Sequence, residues 1–221
     1  MRAALIAAGR ELIAREGLMP VSLRQIAKHA HYSPAVVYRY FPDKDALFLA
    51  IRDEGLAQFA GEVEALIERT ATAEATLRAI AEAGFSFAVE QSAAFGMNML
   101  TVLWMHDEGA GDGVRPVRDL SPPGGLVHRL YERAVRALFD ELGAPPVPAA
   151  MAVATLMSAI TGAVALPSGS AYGDFPDRRA VMRNSVDMLL AGWRAVAERR
   201  AVLPSDSGAQ PSRCRLAPDQ I

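Results

Sequence analysis

The chain has 221 residues, 51% of them hydrophobic and 22% charged, with a net charge of −2. This is the ordinary make-up of a soluble globular protein, long enough to bury a core in one domain or two small ones. It excludes a polycation, and the single cysteine, Cys214, excludes a disulfide framework or a cysteine-based metal site within one chain.

The charge is unevenly spread. Residues 1–50 carry seven Arg/Lys against four Asp/Glu, and the remainder carries 16 against 21. A basic head on an acidic body suits a head that meets phosphate. No basic-then-apolar leader opens the chain, so no signal peptide is expected and the protein reads as cytoplasmic.

Helix signals dominate from the start. Leu5, Leu12 and Ile13 recur at helical spacing in 2–16, and Gly17 is placed to end that helix. Leu23, Ile26, Ala27 and Ala30 mark a second helix over 22–30, with Ser22 as its cap. Ser33 followed by Pro34 is an N-cap followed by proline at the first helical position, opening a short helix over 34–40. Pro42-Asp43 closes it and caps a long helix over 43–69. Further helices are expected over 73–90, 92–107, 124–142, 147–166 and 177–200. The five glycines and three prolines of 108–125 predict a loop, and the chain from Pro204 reads as a disordered tail. Residues 147–173 carry no charged side chain. Their Ala, Ser, Thr and Gly content suits a buried or interface helix better than a membrane span.

Three short helices followed by a long one predict a helix-turn-helix head over 1–46, a helical body over 47–203 and a tail over 204–221. The turn is His31-Tyr32-Ser33. In such motifs the second helix lies in the major groove with its N-terminal residues at the base edges. Tyr38, Tyr40 and Lys44 are donors placed to grip phosphate. Ser22 offers a hydroxyl and a helix N-terminus. Arg24 and Arg39 can reach phosphate or a guanine edge. Ser33, Pro34, Ala35 and Val36 are small or apolar at the helix tip, suited to close approach. For Tyr38 and Tyr40 the alternative is plain packing on the helix pair, and for the two arginines a solvated face.

The run from Ser33 to Leu47, with Tyr38, Tyr40, Phe41 and Lys44 in register, resembles the recognition-helix signature of the TetR family. Leu5-Ile6 through Gly17 and Ser22-Leu23-Arg24-Gln25-Ile26-Ala27 are similar to that family's first and second helices. The resemblance covers about the first 50 residues. It departs at Ala35, where glycine is common, and at His31-Tyr32, where the turn usually holds a glycine and an aliphatic residue. It implies an all-α fold of about nine helices. It further implies a homodimer on double-stranded, palindromic operator DNA, acting as a repressor, with no cofactor and no membrane, released by a small, largely apolar ligand. By the same resemblance Ser22, Tyr38, Tyr40 and Lys44 contact phosphate, and Pro34, Ala35, Val36 and Arg39 face the bases.

For the body the resemblance implies a ligand pocket and a dimer interface made by the last two helices. Phe87, Met99, Leu103, Trp104, His128, Tyr131, Met157, Ile160 and Thr161 are the candidate pocket residues, an adaptable Met-rich and aromatic lining. Such side chains also build ordinary cores. Met182, Val186, Leu189 and Trp193 form a coiled-coil-like stripe, and with Ala154 and Ser158 they are the candidate dimer residues, the alternative being an intrachain core. No phosphate loop, nucleophile elbow or His-Glu-x-x-His helix supports an enzyme. A helix-turn-helix protein that binds DNA without a ligand is the other reading.

Overall fold

The computed structural model describes residues 1–17, 20–95, 121–166 and 176–202, without the side chains of 91–95 and 202. Eight helices and no strand are found among the described residues, an all-α fold with an N-terminal helix-turn-helix. They are α1 (Arg2–Glu16), α2 (Leu23–His29), α3 (Pro34–Tyr40), α4 (Lys44–Arg69), α5 (Ala73–Phe95), α6 (Pro122–Glu141), α7 (Ala149–Ala165) and α8 (Arg178–Val202).

Local chemistry sets the boundaries. Gly17 ends α1 at φ +80°, its N–H donating to the Ile13 carbonyl at 2.8 Å. Asp43 caps α4 by accepting from the Ala46 N–H at 2.7 Å. Ser33 stands at the cap of α3 with Pro34 inside the first turn, yet its side chain makes no capping bond. Two boundaries differ from expectation. α5 runs on through the anticipated break near residue 91 to Phe95. α6 starts at Pro122, inside the anticipated loop, because proline tolerates the first helical turn, where its missing N–H has no intrahelical use. The rest of the helix expected over 92–107, most of the loop and the tail lie outside the described residues.

Two cores result. In the head, Leu5, Ile26, Val37, Phe41 and Leu47 are essentially inaccessible to solvent. At about 1.5–3 kcal/mol for each large apolar side chain fully buried, this cluster is what holds three short helices together. It also takes in Ala50 and Ile51 of α4. Farther along, Leu56, Phe59, Val63 and Leu66 of α4 enter the body core with Leu77, Ile80, Val135 and Leu156. α4 therefore straddles the head–body boundary expected at 46. No described helix is long and apolar enough to cross a membrane.

The interface expected on the last helix is corrected here. Met182, Val186 and Trp193 are buried within the protomer, and the Trp193 ring packs edge-on against Phe139 of α6 at 5.9 Å. Leu189 is half-buried and packs on the same core. This stripe is the most apolar face of α8, so a single chain already buries it. The exposed face of α8 carries Asn184, Met188, Ala191 and Gly192 instead. On α7, Ala154 and Ser158 are exposed beside Met151, Thr155 and Gly162.

Candidate nucleic-acid interface

α3 is held by few side chains and presents the rest. Val37 and Phe41 sink into the head core, while Ser33, Pro34, Ala35, Tyr38, Arg39 and Tyr40 face solvent and Val36 is half-buried. Tyr38 is 50% exposed and Tyr40 37%, so each presents part of its surface to solvent. Both hydroxyls are carried at the C-terminal half of the helix, on the side from which Lys44 follows. Lys44 is half-buried, with its ammonium 5.1 Å from the centre of the Phe48 ring. Burial lowers its pKa, partly opposed by Asp45.

The turn that aims α3 is a Schellman motif. The Tyr32 N–H donates to the Ala27 carbonyl at 2.8 Å and the His31 N–H to the Lys28 carbonyl at 3.2 Å. Such an end needs a left-handed residue, and His31 supplies it at φ +58°, the position where the sequence lacks the usual glycine. His29 ties α2 to α1 through Glu11, 2.9 Å away.

Ser22 is engaged more fully than its sequence position suggested. It forms a capping box with Gln25. The Ser22 N–H donates to Gln25 Oε1 at 2.8 Å, the Ser22 hydroxyl to the same atom at 2.7 Å, and the Gln25 N–H returns to the hydroxyl at 3.3 Å. The hydroxyl already holds the helix end, though the residue is exposed. Arg24 is exposed on α2, and four residues on, Lys28 shares its face and exposure. Sequence reasoning passed over Lys28, whose spacing from Arg24 was the available signal. Arg2 is exposed too, its guanidinium 5.4 Å from the centre of the Phe41 ring.

A second feature lies where head meets body. An open cleft of about 790 Å³ is bounded by α1, α4 and α5. Of the candidate pocket residues among the described ones, only Phe87 lines it, stacked on Phe59 at 4.6 Å. The cleft also meets Arg10, Gln58, Glu62, Glu82, Ser86 and Glu90, none of which the sequence reading chose. Tyr131 and Ile160 are sealed in the body core, and burial pushes the Tyr131 phenol well above its ordinary pKa. Thr161 is buried and spends its hydroxyl on the Met157 carbonyl, 2.8 Å away in its own helix. Met157 is half-buried against the core. His128 is half-buried with its Nδ1 sealed from solvent. Met99, Leu103 and Trp104 lie outside the described residues.

Residues 5–51 match the model of a family described as bacterial regulatory proteins, tetR family. Two curated relatives are HTH-type transcriptional regulators BetI. That of Brucella anthropi is 37% identical over 97 residues, 42% of this chain and 50% of that protein. That of Brucella suis is 35% identical over 97 residues, 42% and 49% respectively. The chain thus spans about half the length of the curated relatives it matches. Solved structures agree over far more of the chain. A Rhodococcus sp. RHA1 protein of unknown function superposes with a TM-score of 0.67 at 22% identity, over 87% of this chain and 95% of that one. A TetR/AcrR-family regulator from Thermobifida fusca gives 0.61 at 17%, over 87% and 97%. FadR of Bacillus subtilis, in complex with stearoyl-CoA, gives 0.60 at 17%, over 87% and 99%. At these identities the structural likeness speaks for the fold alone, and the family match is confined to the head. The head of this chain, residues 5–51, is similar to the tetR family of bacterial regulatory proteins.

Proposed function

We propose that the protein is a transcriptional regulator that binds a palindromic operator as a homodimer, acts as a repressor, and leaves the DNA when a small ligand binds its body. The observation that carries this is the solvent-facing α3, anchored by Val37 and Phe41 and offering Pro34, Ala35, Tyr38, Arg39 and Tyr40 outward. A helix held from behind and bare in front fits a major groove, its tip to the base edges and its far end to phosphate.

Two recognition helices are needed for a palindrome, about 34–36 Å apart on one face of the duplex. The exposed stripes of α7 and α8 support pairing. Two solvent-facing methionines, Met151 at 57% and Met188 at 68% exposure, stand among small residues that permit close helix approach. Ligand control draws support from the cleft, whose volume lies within the range of about 300–1,000 Å³ usual for small-molecule sites. The neighbour bound to stearoyl-CoA and a ketosteroid transcriptional regulator of Mycobacterium tuberculosis share the fold. The cleft also counts against a DNA binder without a ligand. In the mechanism we favour, ligand binding shifts α4, which joins the two cores, and the two α3 helices cease to match successive grooves.

The test is genomic footprinting with the purified protein, followed by gel shifts on a recovered site with the Tyr38→Ala/Arg39→Ala variant. Operator affinity should fall at least about a hundredfold, as expected for losing one phosphate and one base-edge contact in each half-site. The variant's helical circular dichroism should be unchanged, because both side chains face solvent. A wild-type gel shift from a folded variant would remove α3 from the groove.

A further inference from the structure

We infer that the cleft between head and body is a binding site for an organic cation with an apolar body. The cleft is built from both cores. Ile13 and Ile51 belong to the head, Phe59 and Leu66 to the body, and all four line it. Ala14, Gly55, Ala79 and Ala83 also line it, and their small side chains keep about 790 Å³ open between three helices.

The charge at the cleft selects the ligand. Its lining holds one guanidinium, Arg10, and three carboxylates, Glu62, Glu82 and Glu90. Arg10 already pairs with Glu54 at 2.9 Å. Glu82 already holds Arg179 at 2.7 Å and also Arg183. Glu62 and Glu90 remain, both exposed at the cleft and with no ion-pair partner among the described residues. Two carboxylates over an apolar floor, with no cationic partner among the described residues, repel anions and attract a cation through a charge term that a neutral ligand does not gain. An ammonium, amidinium or phosphonium on a hydrophobic frame satisfies both parts. Phe87, half-buried at the wall, adds a ring suited to a cation. A molecule seated there touches α1 of the head and α5 of the body at once, so its presence fixes how the two meet. That regulatory meaning rests on the ligand-responsive reading above, whereas the binding itself does not.

The probes are tetraphenylphosphonium and tetraphenylborate, two ions of one shape and opposite charge, titrated calorimetrically into the full-length protein. The phosphonium should bind and the borate should bind at least about tenfold more weakly, in line with two partly screened carboxylates. Glu62→Gln/Glu90→Gln should erase that preference. Both side chains are solvent-facing, so the variant should keep its melting temperature. Ala14→Trp, a change at an exposed position on the cleft wall, should block both ions. Equal affinity for the two ions, or phosphonium binding unmoved by the paired glutamine variant and by Ala14→Trp, would overturn the inference. Gel shifts run alongside separate the two readings. Phosphonium binding with no change in operator affinity upholds the site and removes its regulatory meaning. Absence of any operator removes the regulator reading and leaves the site to be judged on the charge preference.

Discussion

Gly84 of α5 and Tyr131 of α6 approach so closely that a Cβ on the glycine would stand 2.5 Å from the tyrosine hydroxyl. Tyr131 is only 3% exposed, and its ring is rigid, so it has no free volume into which to swing. Helix propensity favours alanine over glycine by about 1 kcal/mol, but overpacking a tight core costs about 1–3 kcal/mol. Overpacking wins here, because the group it would meet belongs to a sealed ring and Ile160 closes the same space at 3.5 Å. Gly84→Ala should therefore lower stability by about 1–2 kcal/mol in urea titrations. Tyr131→Phe in the same background should recover much of that loss, since it deletes the atom in conflict. A Gly84→Ala protein more stable than wild type would show that the α5–α6 contact is loose.

His31 occupies the left-handed corner between α2 and α3 at φ +58°. A side chain there costs about 1–2 kcal/mol in backbone strain, though histidine is tolerated better than most residues. Glycine removes the strain but gives the unfolded chain more freedom, which takes back about 0.4–1 kcal/mol. His31→Gly should then stabilise the protein by about 0.5 kcal/mol or slightly more. His31→Val, branched at Cβ, should destabilise it by more than that. Thermal melts of the two variants decide the matter, and the opposite order would remove the Schellman turn from the account of how α3 is aimed.

Glu82 of α5 holds Arg179 and Arg183 of α8. Burial raises its carboxyl pKa, but the hydrogen bonds and charges of the two arginines outweigh that and hold it below the usual value of 4.5. The folded protein thus binds this proton more weakly than the unfolded chain does. The stabilisation is complete above the unfolded pKa and is lost as pH falls through the lower folded one. The side chains are 29%, 40% and 60% exposed, so screening limits the effect to about 1 kcal/mol. Glu82→Gln should lower the melting temperature by about 2–4 °C at neutral pH. The gap from wild type should narrow below pH 4.5 and in high salt. A gap that stays constant from neutral to strongly acid pH would mean the carboxylate charge contributes nothing.

How much of this was legible in the sequence depends on how local its cause is. Gly17, Ser22, Pro34 and Asp43 act within a turn of themselves, and the helix ends they mark lie where they were expected. The outward face of α3 was legible too, because Val37 and Phe41, four apart, fall on one side of the helix and turn inward together. The cleft was not. Glu62 and Glu90 look like any solvated helix face until α1, α4 and α5 are brought together. Tyr131 and Ile160 suggested a pocket by their chemistry, yet α5 and α6 close over them through Gly84, a long-range contact without a local sign.

The last helix likewise depends on long-range packing. Its apolar stripe suggested a partner, but Trp193 is 6% and Met182 1% exposed within one chain, so that stripe is core. Trp193→Ala should cost about 3–5 kcal/mol and loosen the protomer itself, with no specific effect on association. The opposite face holds Met188 at 68% exposure, between Asn184 and Ala191, and pairing through it would bury this methionine against a second copy of α7 or α8. Met188→Arg should then convert a dimer to a folded monomer in sedimentation equilibrium, because an unpaired charge in a two-fold interface is brought in twice. Its helical signal should persist, since the protomer core does not use this side chain. If Met188→Arg sedimented as wild type while Trp193→Ala alone dissociated the dimer, the pairing face would be the apolar stripe after all, and the protomer core would have to open to form it.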